Sequence, residues 1–113
     1  MEISQVERGD VIVLEVAGSV DALTVDELVQ ALDAVVASDH VRLVGDIAGV
    51  DYMSSAGLRA ILSTLKACRG NGGDFRLASP TDGVHSLLEI SGFTSIVQIF
   101  DDVDSAVVSF DVG

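Results

Sequence analysis

Glycines cut this chain into short pieces that switch between two hydrophobic periods, and that switching constrains the fold more than any other feature. Residues 11–17 are β-branched, short and closed by Gly18, which predicts a strand. From Val25 onward the period changes: Leu28, Val29, Leu32, Val35 and Val36 recur at helical spacing, with Asp26, Gln30 and Asp33 turned outward. Thr24 stands as the N-cap of that helix, with Glu27 completing a capping box. Residues 41–47 read as a second, central strand, and Leu58, Ile61, Leu62 and Leu65 as the buried stripe of a second helix ended by Gly70 to Gly73. A third strand at 75–78, a short helix at 83–90, a last strand at 96–100 and a terminal helix at 104–110 complete the series. A weaker strand at 3–7 pairs back as a hairpin through Gly9-Asp10. Strand–helix–strand units with short connections imply right-handed crossovers. The expected fold class is therefore α/β, a mixed and mostly parallel β-sheet with helices packed against it.

Size and charge narrow the function. The 113 residues suit one domain, 1–113, and 49% hydrophobic residues can build a core without Trp. No apolar run nears the roughly 20 residues needed to cross a bilayer, and the N-terminus is not read as a signal peptide. Six basic residues against eighteen acidic ones give a net charge of -12. Such a surface repels nucleic acid and anionic membranes, and suits a soluble protein that docks on a basic partner. Cys68, the single cysteine, excludes an internal disulfide and a Cys-based zinc cluster, which points to a reducing, cytoplasmic setting.

The segment 46–58, Asp-Ile-Ala-Gly-Val-Asp-Tyr-Met-Ser-Ser-Ala-Gly-Leu, runs from a central strand through a tight loop into the first turn of a helix. In open α/β sheets that is where functional sites sit. Ser54 and Ser55 read first as helix caps, since their hydroxyls can accept bonds from unpaired first-turn N–H groups. The same place also suits a phosphate, held against the positive end of the helix dipole, with Gly57 leaving room for it. A phosphoserine would add roughly -1.5 to -2 charges to a surface that a partner approaches.

The stretch 46–58, with its core Tyr52-Met53-Ser54-Ser55-Ala56-Gly57-Leu58, resembles the signature of the STAS family, which includes the anti-sigma-factor antagonists of bacterial partner-switching systems. Gly18-Ser19-Val20-Asp21 followed by Thr24 is similar to that family's turn before its first helix. Gly72-Gly73-Asp74-Phe75-Arg76-Leu77 is similar to its Gly-Gly turn into a strand, and Leu87-Leu88-Glu89-Ile90-Ser91-Gly92-Phe93 to its late helix. The resemblance implies a STAS-like fold. It also implies that Ser55 accepts phosphate from an anti-sigma factor that is a serine kinase, and that Asp21 lies near and aids kinase interaction. The unphosphorylated antagonist would bind that kinase and free its sigma factor; the phosphorylated form would be released, and a serine phosphatase would reset it. Two departures stand out: the family's Asp before the acceptor is Ser54 here, and the residue after it is Ala56. Ser54 thus becomes a fallback acceptor. STAS domains also serve as non-switching accessory subunits of transporters and other complexes, in which Ser55 would be only a cap.

Tyr52 and Met53 read as core plugs beneath the loop. Arg59, Ser63 and Lys66 share the helix side away from the leucine stripe, either a solvated face or a docking surface beside the switch. With Ser54, Ala56, Gly57 and Asp21 they make up the expected partner-binding set. Cys68 reads as a partly buried residue at the edge of the stripe. His40 and His85 lack metal-ligand spacing, and Asp101, Asp102 and Asp104 suit capping rather than calcium. No nucleophile elbow and no phosphate-binding loop is present, so the chain reads as a substrate rather than an enzyme, with no cofactor.

Overall fold

The computed structural model describes residues 1–39 and 41–111; His40, Val112 and Gly113 lie outside them. Valine and isoleucine make the strands because branched side chains pack well on a pleated surface. The strands are β1 (Glu2–Arg8), β2 (Val11–Val20), β3 (Arg42–Met53), β4 (Asp74–Ala78) and β5 (Ile99–Phe100). The helices are α1 (Val25–Ala37), α2 (Ser55–Gly70), α3 (Asp82–Ile90) and α4 (Val103–Val108), with a 3-10 turn at Phe93–Ser95. The sheet order is β1-β2-β3-β4-β5, with β1 antiparallel to β2 and every other pair parallel. This is the mixed, mostly parallel α/β sheet expected.

The two faces of the sheet hold different cores. Leu28, Leu32 and Val35 of α1, Ile61, Leu65 and Cys68 of α2, and Val84 and Leu88 of α3 pack on Ile12, Leu14, Leu43, Ile47, Phe75 and Leu77. On the opposite face, Ala106 and its neighbours in α4 cover Val11, Val13, Val44 and Ala78. Arg76 fastens that helix: its guanidinium lies 4.0 Å from the centre of the Phe110 ring and donates to Ser109 Oγ at 2.7 Å. Asp102 caps α4 by accepting from the Ser105 amide at 2.7 Å, and this bond holds its carboxyl below the usual aspartate range.

Four expectations change. The second central strand does not stop at residue 47 but runs to Met53. Its pairing with β2 is interrupted between Glu15/Ala17 and Gly18/Ser19, each time by one extra residue on β3. The buried positions Ile47, Val50 and Met53 are therefore three apart instead of two. The last strand shrinks to Ile99–Phe100, because the amides of Ile96 and Val97 still bond back to the Phe93 carbonyl as the chain leaves the 3-10 turn. In α2 the buried set is Gly57, Ala60, Ile61, Thr64, Leu65 and Cys68, while Leu58 and Leu62 are only half-buried. The Thr24–Glu27 capping box does not form. Thr24 Oγ1 instead donates to the Ser19 carbonyl at 2.7 Å and accepts from the Asp21 amide at 3.1 Å.

Candidate functional site

Parallel pairing brings the C-terminal ends of β2 and β3 side by side, Val20 opposite Met53. The Ser54 amide donates to the Val20 carbonyl at 2.8 Å, so α2 starts where the two strands end. Asp21 follows Val20 directly and is built into its own turn, its carboxylate accepting from the amides of Leu23 at 2.9 Å and Thr24 at 3.1 Å. Asp51 accepts from Ser19 Oγ at 3.0 Å, a second tie between the strands. The expected residues Asp21, Ser54 and Ser55 are thus gathered at one edge.

The two serines differ. Ser54 is the N-cap residue in extended conformation, yet its side chain makes no capping bond; its Oγ is buried and without a hydrogen-bond partner. Ser55, the first helical residue, is exposed. The amides of Ser55, Ala56 and Gly57 have no acceptor within the helix, as the geometry of any helix start requires. Among the four α-helices, α2 alone has no acidic residue in its first turn: α1 has Asp26 and Glu27, α3 Asp82 and α4 Asp104. No carboxylate of the helix's own first turn offsets its positive dipole end.

Gly57 does not make room for a phosphate, as the sequence suggested. It is buried, and a Cβ there would fall 2.7 Å from Met53 Cγ and 2.8 Å from Val20 Cγ1. Its bareness lets α2 sit on the strand ends. Met53 is a core plug; Tyr52 is not, being 55% exposed. The two are successive residues of β3, so their side chains point to opposite sides of the strand. Ala56 is half-buried.

Arg59, Ser63 and Lys66 are exposed. With Ser55 they recur at spacings of four, four and three residues, which lines them up on one helix face. Arg69 stands apart from this face. It bonds Asp74 at 2.9 Å and the Ile96 carbonyl at 2.9 Å. Cys68 is fully buried, not edge-lying, and burial together with the Asp74 charge pushes its thiol up to about 11. His85 pairs with Glu89 at 2.9 Å, and no cluster able to hold a metal ion occurs among the described residues. No helix among them is long and apolar enough to cross a membrane.

Sequence reasoning missed Leu23, an apolar side chain 92% exposed in the turn that holds Asp21. Its signal was present: Leu23 precedes the helix and fits no buried period.

Residues 2–106 of the chain match the STAS domain family. The chain belongs to that family. This STAS domain is 34% identical over 93 residues to BtrV of Bordetella bronchiseptica, assigned as an anti-sigma factor antagonist, with 82% of this chain and 80% of that one covered. It is 31% identical over 84 residues to the anti-sigma-B factor antagonist of Listeria monocytogenes, covering 74% of each chain. Its fold is similar to the crystal structure of an anti-sigma factor antagonist from Mycobacterium paratuberculosis, with a TM-score of 0.88, 24% identity, and 96% and 92% of the two chains covered.

Proposed function

We propose that this STAS domain is an anti-sigma factor antagonist whose hold on its partner is switched by a phosphate on Ser55. The observation that carries the reading is the start of α2, where an exposed hydroxyl meets a helix N-terminus without an acidic residue or a side-chain cap. The names of the BtrV and Listeria relatives support the antagonist role.

The chain supplies an acceptor and a surface. An anti-sigma factor that is also a serine kinase brings ATP; the Ser55 Oγ–phosphorus bond forms as the bond to the departing ADP breaks, and the hydroxyl proton passes to a base of the kinase. The phosphate then lies beside unpaired amides, one turn from Arg59 on the same helix face. It adds roughly -1.5 to -2 charges beside Asp21, in a chain of net charge -12. A partner that fitted the bare hydroxyl meets added bulk and a doubly charged group that it must desolvate, and releases. A serine phosphatase restores the binding form. Ser54 is the weaker acceptor because its Oγ is buried.

The test is an intact-mass assay with ATP and lysate from the source cells, on the wild type and on Ser55→Ala and Ser54→Ala variants. One phosphoryl group that disappears only in Ser55→Ala is expected. Loss only in Ser54→Ala would move the site. No phosphorylation in an active lysate would favour an accessory subunit without a switch.

A further inference from the structure

A cleft of about 310 Å³ opens between the end of β3 and the start of α3, lined by Asp51, Tyr52, Met53, Gly83, Val84 and Leu87. Met53 links it to the switch, because the same side chain packs under Gly57 in the first turn of α2. Val84 and Met53 are buried and Leu87 is half-buried, which gives the cleft an apolar base, while Tyr52 is largely exposed at its side. Asp51 is the only charged lining residue, and exposed Asp82 precedes Gly83 at the start of α3. A Cβ at Gly83 would meet nothing within 4 Å, so the first turn of α3 leaves the space open.

Asp51 accepts one hydrogen bond from Ser19 Oγ at 3.0 Å, but no cation among the described residues pairs with either carboxylate. The chain's ion pairs join Arg8 to Asp104, Arg42 to Asp10, Arg69 and Arg76 to Asp74, and His85 to Glu89; none among the described residues reaches Asp51 or Asp82. An apolar base, an aromatic wall and an uncompensated carboxylate are together complementary to one kind of side chain. Arginine has an apolar stem, a planar cation that stacks on aromatic rings, and a fork of donors for a carboxylate. An acidic side chain would be repelled, and an aliphatic one would desolvate Asp51 without supplying a counter-charge.

We propose that this cleft receives an arginine side chain of the protein partner that docks over Ser55. This rests on the reading of the α2 start as the partner-binding end. It places a partner contact on the α3 side of the switch.

The test is an NMR titration of the full, unphosphorylated chain with N-acetyl-arginine amide, with the citrulline analogue as a neutral isostere. Saturable shifts centred on Tyr52, Gly83, Val84 and Leu87 are expected, with the citrulline analogue binding about threefold more weakly or worse. Tyr52→Ala should weaken arginine binding about two- to fivefold. Gly83→Leu, which fills the cleft from an exposed helix position, should abolish it with the thermal midpoint retained. Shifts scattered over the acidic surface without saturation, or undiminished binding in Gly83→Leu, would overturn the proposal. Ser55 stays unmodified throughout, so an empty cleft and an unphosphorylated Ser55 are separate results.

Discussion

A Cβ placed on Gly57 would come within 2.7 Å of Met53 Cγ, so the first turn of α2 rests directly on the last residue of β3. In an open helix, Gly→Ala gains about 1 kcal/mol. Here the overlap with Met53 and Val20 costs about 1–3 kcal/mol, and overpacking wins. Gly57→Ala should lose about 1 kcal/mol in urea unfolding. Gly70→Ala, where a Cβ meets nothing within 4 Å, should keep or raise stability. A stabilised Gly57→Ala would show that Met53 yields freely.

Ser54 and Thr81 occupy the same cap position on α2 and α3, yet substitution should act in opposite directions. Thr81 Oγ1 accepts from the Val84 amide at 3.3 Å, so Thr81→Ala should lose about 1 kcal/mol. Ser54 Oγ is buried without a partner, and Ser54→Ala removes an unpaired polar group without removing a cap bond. It should gain about 0.5–1 kcal/mol. Equal losses in the two variants would mean that the Ser54 hydroxyl finds a partner in solution.

Where the sequence succeeded and failed follows from which contacts set each residue. The stripe Leu28, Leu32 and Val35 of α1 was legible because helical spacing alone puts those residues on the sheet. So was the place of Ser55, since a serine pair between an apolar strand and a leucine stripe marks a helix start. The tail of β3 was not legible. Its extra residues exist only relative to β2, and a buried spacing of three in Ile47, Val50 and Met53 departs from the strand period of two. Tyr52 was misplaced for the same reason. Thr24 failed as a capping box because its hydroxyl accepts from the Asp21 amide and donates to the Ser19 carbonyl, partners supplied by the preceding turn.

Asp102 tests the cap of α4 through pH. Its bond from Ser105 holds the folded carboxyl below the ordinary aspartate value of about 3.9. Between those two values the unfolded chain binds the proton and the folded one does not, so stability rises with pH. The contribution is complete above the unfolded value and lost as pH falls through the folded one. Asp102→Asn keeps an acceptor oxygen but cannot titrate, so its acid unfolding should be less steep below about pH 4. An Asp102 midpoint at or above the ordinary value, read by NMR, would contradict the capping bond.

Cys68 supplies the opposite sign at alkaline pH. Its thiol is 0% exposed and is pushed up to about 11 by burial and by the nearby Asp74 charge. The unfolded chain releases the proton near the ordinary thiol value of about 8.5, while the folded protein keeps it. Stability is therefore fully present below the unfolded value and falls as pH rises toward the folded one, by up to roughly 1.4 kcal/mol per pH unit. Cys68→Ala should be less stable at neutral pH, from its cavity, but should lose this alkaline slope. At pH 8 a thiol reagent should leave the native protein unmodified and react fully in denaturant. Rapid modification of the native chain would mean that α2 opens from the sheet far more readily than its packing implies.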